Sequence, residues 1–217
     1  MPHTTQITCF GMSECGGSVA MCNPDDPLPL RSEFSGKALP GIEIAVRNPE
    51  TGETLAPGEP GEIVARGRGV FSGYYNDPAK TEAAFWEGGW FRTGDLGVLD
   101  DEGRVTFRGR LKDMLKVGGE NVAAVEIEGY LALHPTVKLA QVVGLPDEKY
   151  GEVPVAFIEL VPGATATETE MIDFCRGEIA SFKIPRHVRF VEDWPMGATK
   201  ILKSALRQRI LAEIAPA

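Results

Sequence analysis

Residues 93–122 read TGDLGVLDDEGRVTFRGRLKDMLKVGGENV, and the reading of the whole chain turns on them. The stretch opens with a carboxylate behind a tight glycine turn, Thr93-Gly94-Asp95. Two strand-like runs are closed by Asp100-Asp101-Glu102-Gly103. The basic residues Arg108, Arg110 and Lys112 come next, then Asp113, Lys116 and the pair Gly118-Gly119. An acid, several bases and flexible backbone within about thirty positions are unusual for a segment with only a structural task. The stretch also divides the chain. Upstream, short alternating runs from Ile42 (IEIAV, GEIVAR), separated by turn clusters such as RNPETGE, predict hairpin-built β-structure as far as Arg108. Downstream of Asp113 the periodicity changes.

There, VAAVEIEGYLAL (122–133) predicts a helix ended by His134-Pro135. The apolar runs KLAQVVGL and VPVAFIEL predict neighbouring buried strands joined through PDEKYGE. A second helix starts near Thr167, with Ile172, Cys175, Ile179 and Phe182 on one face at helical spacing. HVRFV predicts a further strand, and Leu202, Leu206 and Ile210 mark a final amphipathic helix. That order predicts a small α+β domain of about a hundred residues. Nearer the start, TCFGMSE (8–14) reads as a strand end and a glycine turn, and residues 23–41, rich in Pro and Gly, as a surface connection. Asp77 and Pro78 supply the N-cap and first position of a short helix. GRGVFSG (67–73) lacks a Lys-Ser/Thr ending, and no helix pattern opens from it. That excludes a phosphate loop there.

Composition sets bounds. The 217 residues suffice for one large or two small domains with a real core. Apolar and charged fractions of 43% and 24% fit a soluble globular protein. A net charge of −9 argues against nucleic-acid and anionic-membrane surfaces as partners. No apolar run approaches the roughly 18 residues of a membrane span. MPHTTQITCF lacks the basic start and apolar core of a secretory signal, so the expected compartment is the cytoplasm. Cys9, Cys15, Cys22 and Cys175 show no C-x-x-C spacing and the three histidines are scattered, which argues for free thiols and against zinc.

Taken singly, the chemical motifs are ambiguous. Asp95 suits a solvated turn, Arg110 a surface ion pair, Lys200 and Lys203 a solvated helix start, Gly118-Gly119 a tight turn, and TCFGMSE a loop that ends in Glu. Together and in order, TCFGMSE (8–14), WFRTGDLG (90–97), GRLKDMLKVGGENV (109–122) and WPMGATKILKSALR (194–207) make a more specific pattern. With it the chain resembles the AMP-forming acyl-CoA synthetases of the adenylate-forming superfamily, which also holds luciferases and peptide-synthetase adenylation domains.

The resemblance implies an α+β fold in three parts: residues 1–109 as the β-rich end of a large AMP-binding domain, 110–113 as a hinge, and 114–217 as a small mobile C-terminal domain. It implies that Phe10 lies against adenine, that Gly11 allows close backbone approach, that Ser13 donates to a phosphate oxygen and that Glu14 holds Mg²⁺. Asp95 would accept both ribose hydroxyls of ATP, and Arg110 would contact the ribose as well. Lys112 falls at the hinge. Gly118, Gly119 and Glu120, with Lys116 assisting, would meet the pantetheine arm of coenzyme A (CoA), and Lys200 would drive adenylation. Two departures stand out: Ser13 where Thr is commoner, and Ala198-Thr199 before Lys200 in place of Thr-Gly.

The implied reaction joins a carboxylic acid to ATP, giving acyl-AMP and pyrophosphate, and then to CoA. Family members carry a long N-terminal domain with a phosphate loop and most of the acyl pocket. Nothing like it occurs in these residues, so the expectation is a portion of such a ligase, inactive by itself and dependent on that N-terminal part. An adenylation domain serving a carrier protein and a non-catalytic binding module that kept the fold remain open. So do the identity of the acid and any oligomer.

Overall fold

The computed structural model describes residues 4–198 and 200–214. The chain is α+β and divides between Lys112 and Asp113 into two compact units.

The first unit is built from hairpins. Strands β1 (Cys9–Met12), β2 (Gly17–Met21) and β3 (Lys37–Ala38) form a three-stranded sheet in that order. Strands β4 (Ile42–Arg47), β5 (Gly61–Gly67), β6 (Phe85–Trp86), β7 (Trp90–Leu99) and β8 (Val105–Arg110) form a second sheet, ordered β4-β5-β7-β6 with β8 also on β7. Helix α1 (Leu28–Glu33) lies in the segment expected to be irregular, with Pro29 within its first turn, where a missing N–H costs nothing. Helix α2 (Pro78–Ala83) starts as the sequence predicts: the Asp77 carboxylate accepts the Lys80 N–H at 3.0 Å. Phe10, Val19, Ala20, Ile63, Ala65, Phe91 and Val105 form the core, joined by Phe71 and Phe85. One expectation fails. GEIVAR alternates in sequence, yet β5 is buried from Gly61 to Ala65: Ile63 and Ala65 lie in the core, while Arg92, lying over the Trp86 ring, reaches Glu62 and covers it.

The second unit is a sheet with helices on both faces. Strands β9 (Met114–Val117), β10 (Glu120–Ala123), β11 (Val137–Asp147), β12 (Gly151–Leu160) and β13 (His187–Phe190) are ordered β10-β9-β12-β11, with β13 parallel to β12. Helices α3 (Ala124–Leu131) and α4 (Glu168–Cys175) cover one face through Ile127, Leu131, Met171 and Cys175 against Val142 and Ile158. Helix α5 (Lys203–Ile214) covers the other through Leu206 and Ile210 against Val143, Val155 and Phe157. Both faces being covered explains why the β11 and β12 sequences read as near-continuous apolar runs. No described helix is long and apolar enough to cross a membrane.

Helix α4 is shorter than its periodicity suggests. It ends at Cys175, and Gly177 follows at φ +78°, so Ile179 packs on the core from the loop beyond and Phe182 from the 3₁₀ turn Ser181–Lys183. Its start is a capping box: the Thr167 hydroxyl accepts the Glu170 N–H at 3.2 Å, and Glu170 accepts the Thr167 N–H at 2.6 Å. Thr167→Ala is expected to cost about 1 kcal/mol. It should lower the urea midpoint without changing the slope of the transition.

Candidate functional site

The first unit brings together two of the predicted elements. Asp95 and Arg110 face each other across β7 and β8, with Arg110 Nε 3.0 Å from Asp95 Oδ1. Asp95 is 3% exposed while the Arg110 side chain reaches solvent. A buried carboxylate paired with a cation at its rim is the arrangement in which a charge-assisted acceptor is strongest. Arg110, which the sequence reading places in the joint, is the last residue of β8, and its register with Asp95 is that of the sheet. Lys112 is exposed in the 3₁₀ turn Leu111–Asp113, where the two units divide.

The hairpin β1–β2 carries the other predicted group. Ser13 and Glu14 begin the short 3₁₀ turn Ser13–Cys15 between the strands, Ser13 exposed and Glu14 half-buried. Gly11 is required by the hairpin itself, since a Cβ there would lie 1.8 Å from the Gly17 carbonyl oxygen. Phe10 is 7% exposed in the core, its ring stacked on Phe107 at 6.3 Å. Phe107 is the member of that pair with the greater exposure.

Three neighbours of these groups escape sequence reading. Tyr74 donates its hydroxyl to Glu14 Oε1 at 3.2 Å, sixty positions away. Burial, then the adjacent Glu14 charge, raises the Tyr74 phenol above its usual range, so it stays a donor at neutral pH. Glu62, 1% exposed, takes the Arg92 Nε at 3.1 Å and the Gly94 N–H at 3.1 Å. Arg92 also donates to the Pro49 carbonyl and lies over the Trp86 ring. An acidic residue directly ahead of an apolar run was the available signal, and its apparent alternation disguised it.

Two of the four thiols, Cys15 and Cys175, are unreactive in kind. Burial, reinforced by the Glu14 charge, pushes the Cys15 thiol up to about 11, and burial pushes Cys175 to about 11. At pH 8 a disulfide reagent is expected to modify exposed Cys9 rapidly and Cys15 and Cys175 only after unfolding. Mass mapping of the labelled peptides checks this.

In the second unit Gly118 and Gly119 turn β9 into β10 at φ +61° and +91°. Two positive φ values are what a two-residue hairpin turn of this hand demands, so backbone geometry alone requires glycine there. Lys116 and Glu120 flank the turn and are exposed. The Lys116 N–H donates to Glu152, which also pairs with Arg207 of α5 at 3.1 Å. Lys200 lies in a tight reversal held by Gly197 N–H to Lys200 O (2.7 Å) and Leu202 N–H to Pro195 O (2.8 Å). Thr199, within the departure from the family pattern, lies outside the described residues. The two lysines differ sharply. Lys203 pairs with Glu128 at 2.6 Å, fastening the start of α5 to α3, whereas Lys200 is exposed with no ion-pair partner among the described residues.

A hairpin turn bearing a hydroxyl and a carboxylate, and a buried acceptor backed by arginine, suit a protein that handles nucleotides. Comparison with known proteins agrees. Residues 1–75 match the family model of the AMP-binding enzymes, and residues 126–200 match that of the AMP-binding enzyme C-terminal domain. The chain belongs to this adenylate-forming family. It is 39% identical over 205 residues to the mitochondrial medium-chain acyl-CoA ligase ACSF2 of Rattus norvegicus, covering 94% of this chain and 33% of that protein. Among solved structures it resembles ATP-bound MatB from Rhodopseudomonas palustris (TM-score 0.84, 36% identity, 93% of this chain and 40% of that one). It also resembles the o-succinylbenzoate CoA synthetase MenE of Bacillus subtilis in complex with its acyl-adenylate intermediate (TM-score 0.85, 33% identity, 92% and 40%). The chain therefore spans about a third to two-fifths of the length of these relatives.

Proposed function

We propose that the chain supplies part of the nucleotide site and the mobile catalytic unit of an ATP-dependent carboxylate–CoA ligase. The observation that carries this reading is the buried Asp95 carboxylate held against Arg110 across β7 and β8. An ionised carboxylate only accepts, and its two oxygens suit two adjacent ribose hydroxyls. Ser13 supplies a hydroxyl donor for a phosphate oxygen, and Phe10 and Gly11 form the hairpin strand beside it.

Glu14 fits magnesium in the way a nucleotide-borne cation requires. It is one hard oxygen donor, with no cluster of three or more acidic, His or Cys groups among the described residues, and Mg²⁺ typically takes one or two carboxylates plus phosphates and water. Bound there, the ion would neutralise phosphate charge. The Tyr74 hydroxyl fixes one Glu14 oxygen and so orients the carboxylate.

In the first half-reaction a carboxylate attacks the α-phosphorus, forming acyl-AMP and releasing pyrophosphate. Lys200 is the group suited to the charge that gathers there: a compact ammonium, exposed and without an ion-pair partner among the described residues, ahead of an anchored helix. In the second, the CoA thiol attacks the acyl carbon and AMP leaves. A lysine held at that carbon would obstruct the thiol. The second unit accordingly turns about Lys112, withdrawing Lys200 and presenting the Gly118-Gly119-Glu120 turn with Lys116. Pyrophosphate release by the ligase carrying this chain, across a panel of carboxylic acids with and without CoA, tests the reading. Acid-dependent release with thioester formed only when CoA is present is expected; release indifferent to every acid would overturn it.

A further inference from the structure

Strand β7 carries more residues than its pairing with β5 requires. Glu62 faces Leu96 and Val64 faces Arg92, so Ile63 alone is matched by Thr93, Gly94 and Asp95. A bulge of this kind takes backbone groups out of the ladder, and buried ones must find other partners. Here β5 and the Thr93 side chain supply them. The Ile63 carbonyl accepts the Thr93 hydroxyl at 2.6 Å, and that hydroxyl oxygen accepts the Asp95 N–H at 3.0 Å. One Glu62 oxygen accepts the Gly94 N–H, and the other accepts Arg92 Nε. Gly94 itself sits at φ +70°, a conformation that few residues adopt unaided.

We infer that Glu62 is a positioning residue for nucleotide binding: by accepting the Gly94 N–H it holds the bulge in the one shape from which Asp95 meets the ribose. This rests on the ribose reading of Asp95. Burying a carboxylate is costly even when it is paired, and apolar residues of similar volume often replace buried ion pairs without loss of stability. A strand as enclosed as β5 gains nothing from a charge for packing alone. What an apolar residue would not provide is the acceptor for Gly94.

Two double variants separate positioning from packing in the ligase carrying this chain. Glu62→Leu with Arg92→Met removes both the buried pair and the acceptor. Glu62→Gln with Arg92→Met removes the pair and keeps an amide oxygen for Gly94. Each is assayed for pyrophosphate exchange with ATP and with 2′-deoxy-ATP, and its folding is followed by thermal melting. The parent should prefer ATP by roughly tenfold or more, the worth of a hydrogen bond to a charged group. The Gln/Met variant should stay within about twofold of that preference. The Leu/Met variant should lose about tenfold of it through KM, with kcat close to that of Gln/Met and a cooperative melting transition retained. Equal preferences in the two doubles would overturn the role of Glu62 and leave the ribose reading standing. A parent without preference for ATP over 2′-deoxy-ATP would instead remove the ribose reading and this inference with it.

Discussion

Lys200→Ala is expected to lower acyl-adenylate formation by about 10²–10³-fold while leaving thioester formation from supplied acyl-adenylate near the parent rate. The size follows from the task. A preorganised donor aimed at developing charge typically contributes a few kcal/mol, and the ammonium of Lys200 has no competing partner among the described residues to tie it elsewhere. The split follows from chemistry. In the proposed reaction charge accumulates at phosphorus in the first half-reaction, whereas the second requires that space for a thiol. The fold should be indifferent to the change, because the reversal around Lys200 is held by backbone bonds and α5 is fastened through Lys203 and Glu128. Pyrophosphate release measures the first half-reaction, and AMP release from acyl-adenylate plus CoA the second. Equal losses in both would refute the division of labour.

Asp95→Asn should reduce kcat/KM for ATP by about 100-fold, mainly through KM, since hydrogen bonds to a charged group are worth roughly 1.5–3 kcal/mol each. Asparagine keeps the volume and one acceptor, but its amide is a donor that would face either a ribose hydroxyl or Arg110. With Asp95 only 3% exposed, water cannot make good the mismatch. Arg110 is partly solvated and can turn outward, so folding should survive. An unchanged KM for ATP in a folded variant would dispose of the nucleotide role.

Much of this was legible in the residues. The turn clusters, the Asp77-Pro78 helix start, the paired apolar runs of β11 and β12 and the apolar spacing of α5 are local signals, and the structure bears them out. Motif order pointed to the adenylate-forming family, which the comparisons show. Less was legible where packing overrides local pattern. Helix α4 stops at Cys175 although apolar spacing continues, because Gly177 breaks the backbone while Ile179 and Phe182 still find the core. Glu62 looks like the outward residue of an alternating strand. It is buried because Arg92 of the neighbouring strand β7 reaches over it to pair with its carboxylate.

The sequence by itself determined the class of fold, the family and the candidate groups, since these depend on local periodicity and on residue types at fixed spacing. Only the tertiary structure decided which of those groups meet: Asp95 with Arg110, Glu14 with Tyr74, Gly94 with Glu62, Lys203 with Glu128. The reason is physical. A hydrogen bond depends on distances of about 3 Å between atoms that strand register and helix docking bring together. Neither is written in any single stretch of the chain.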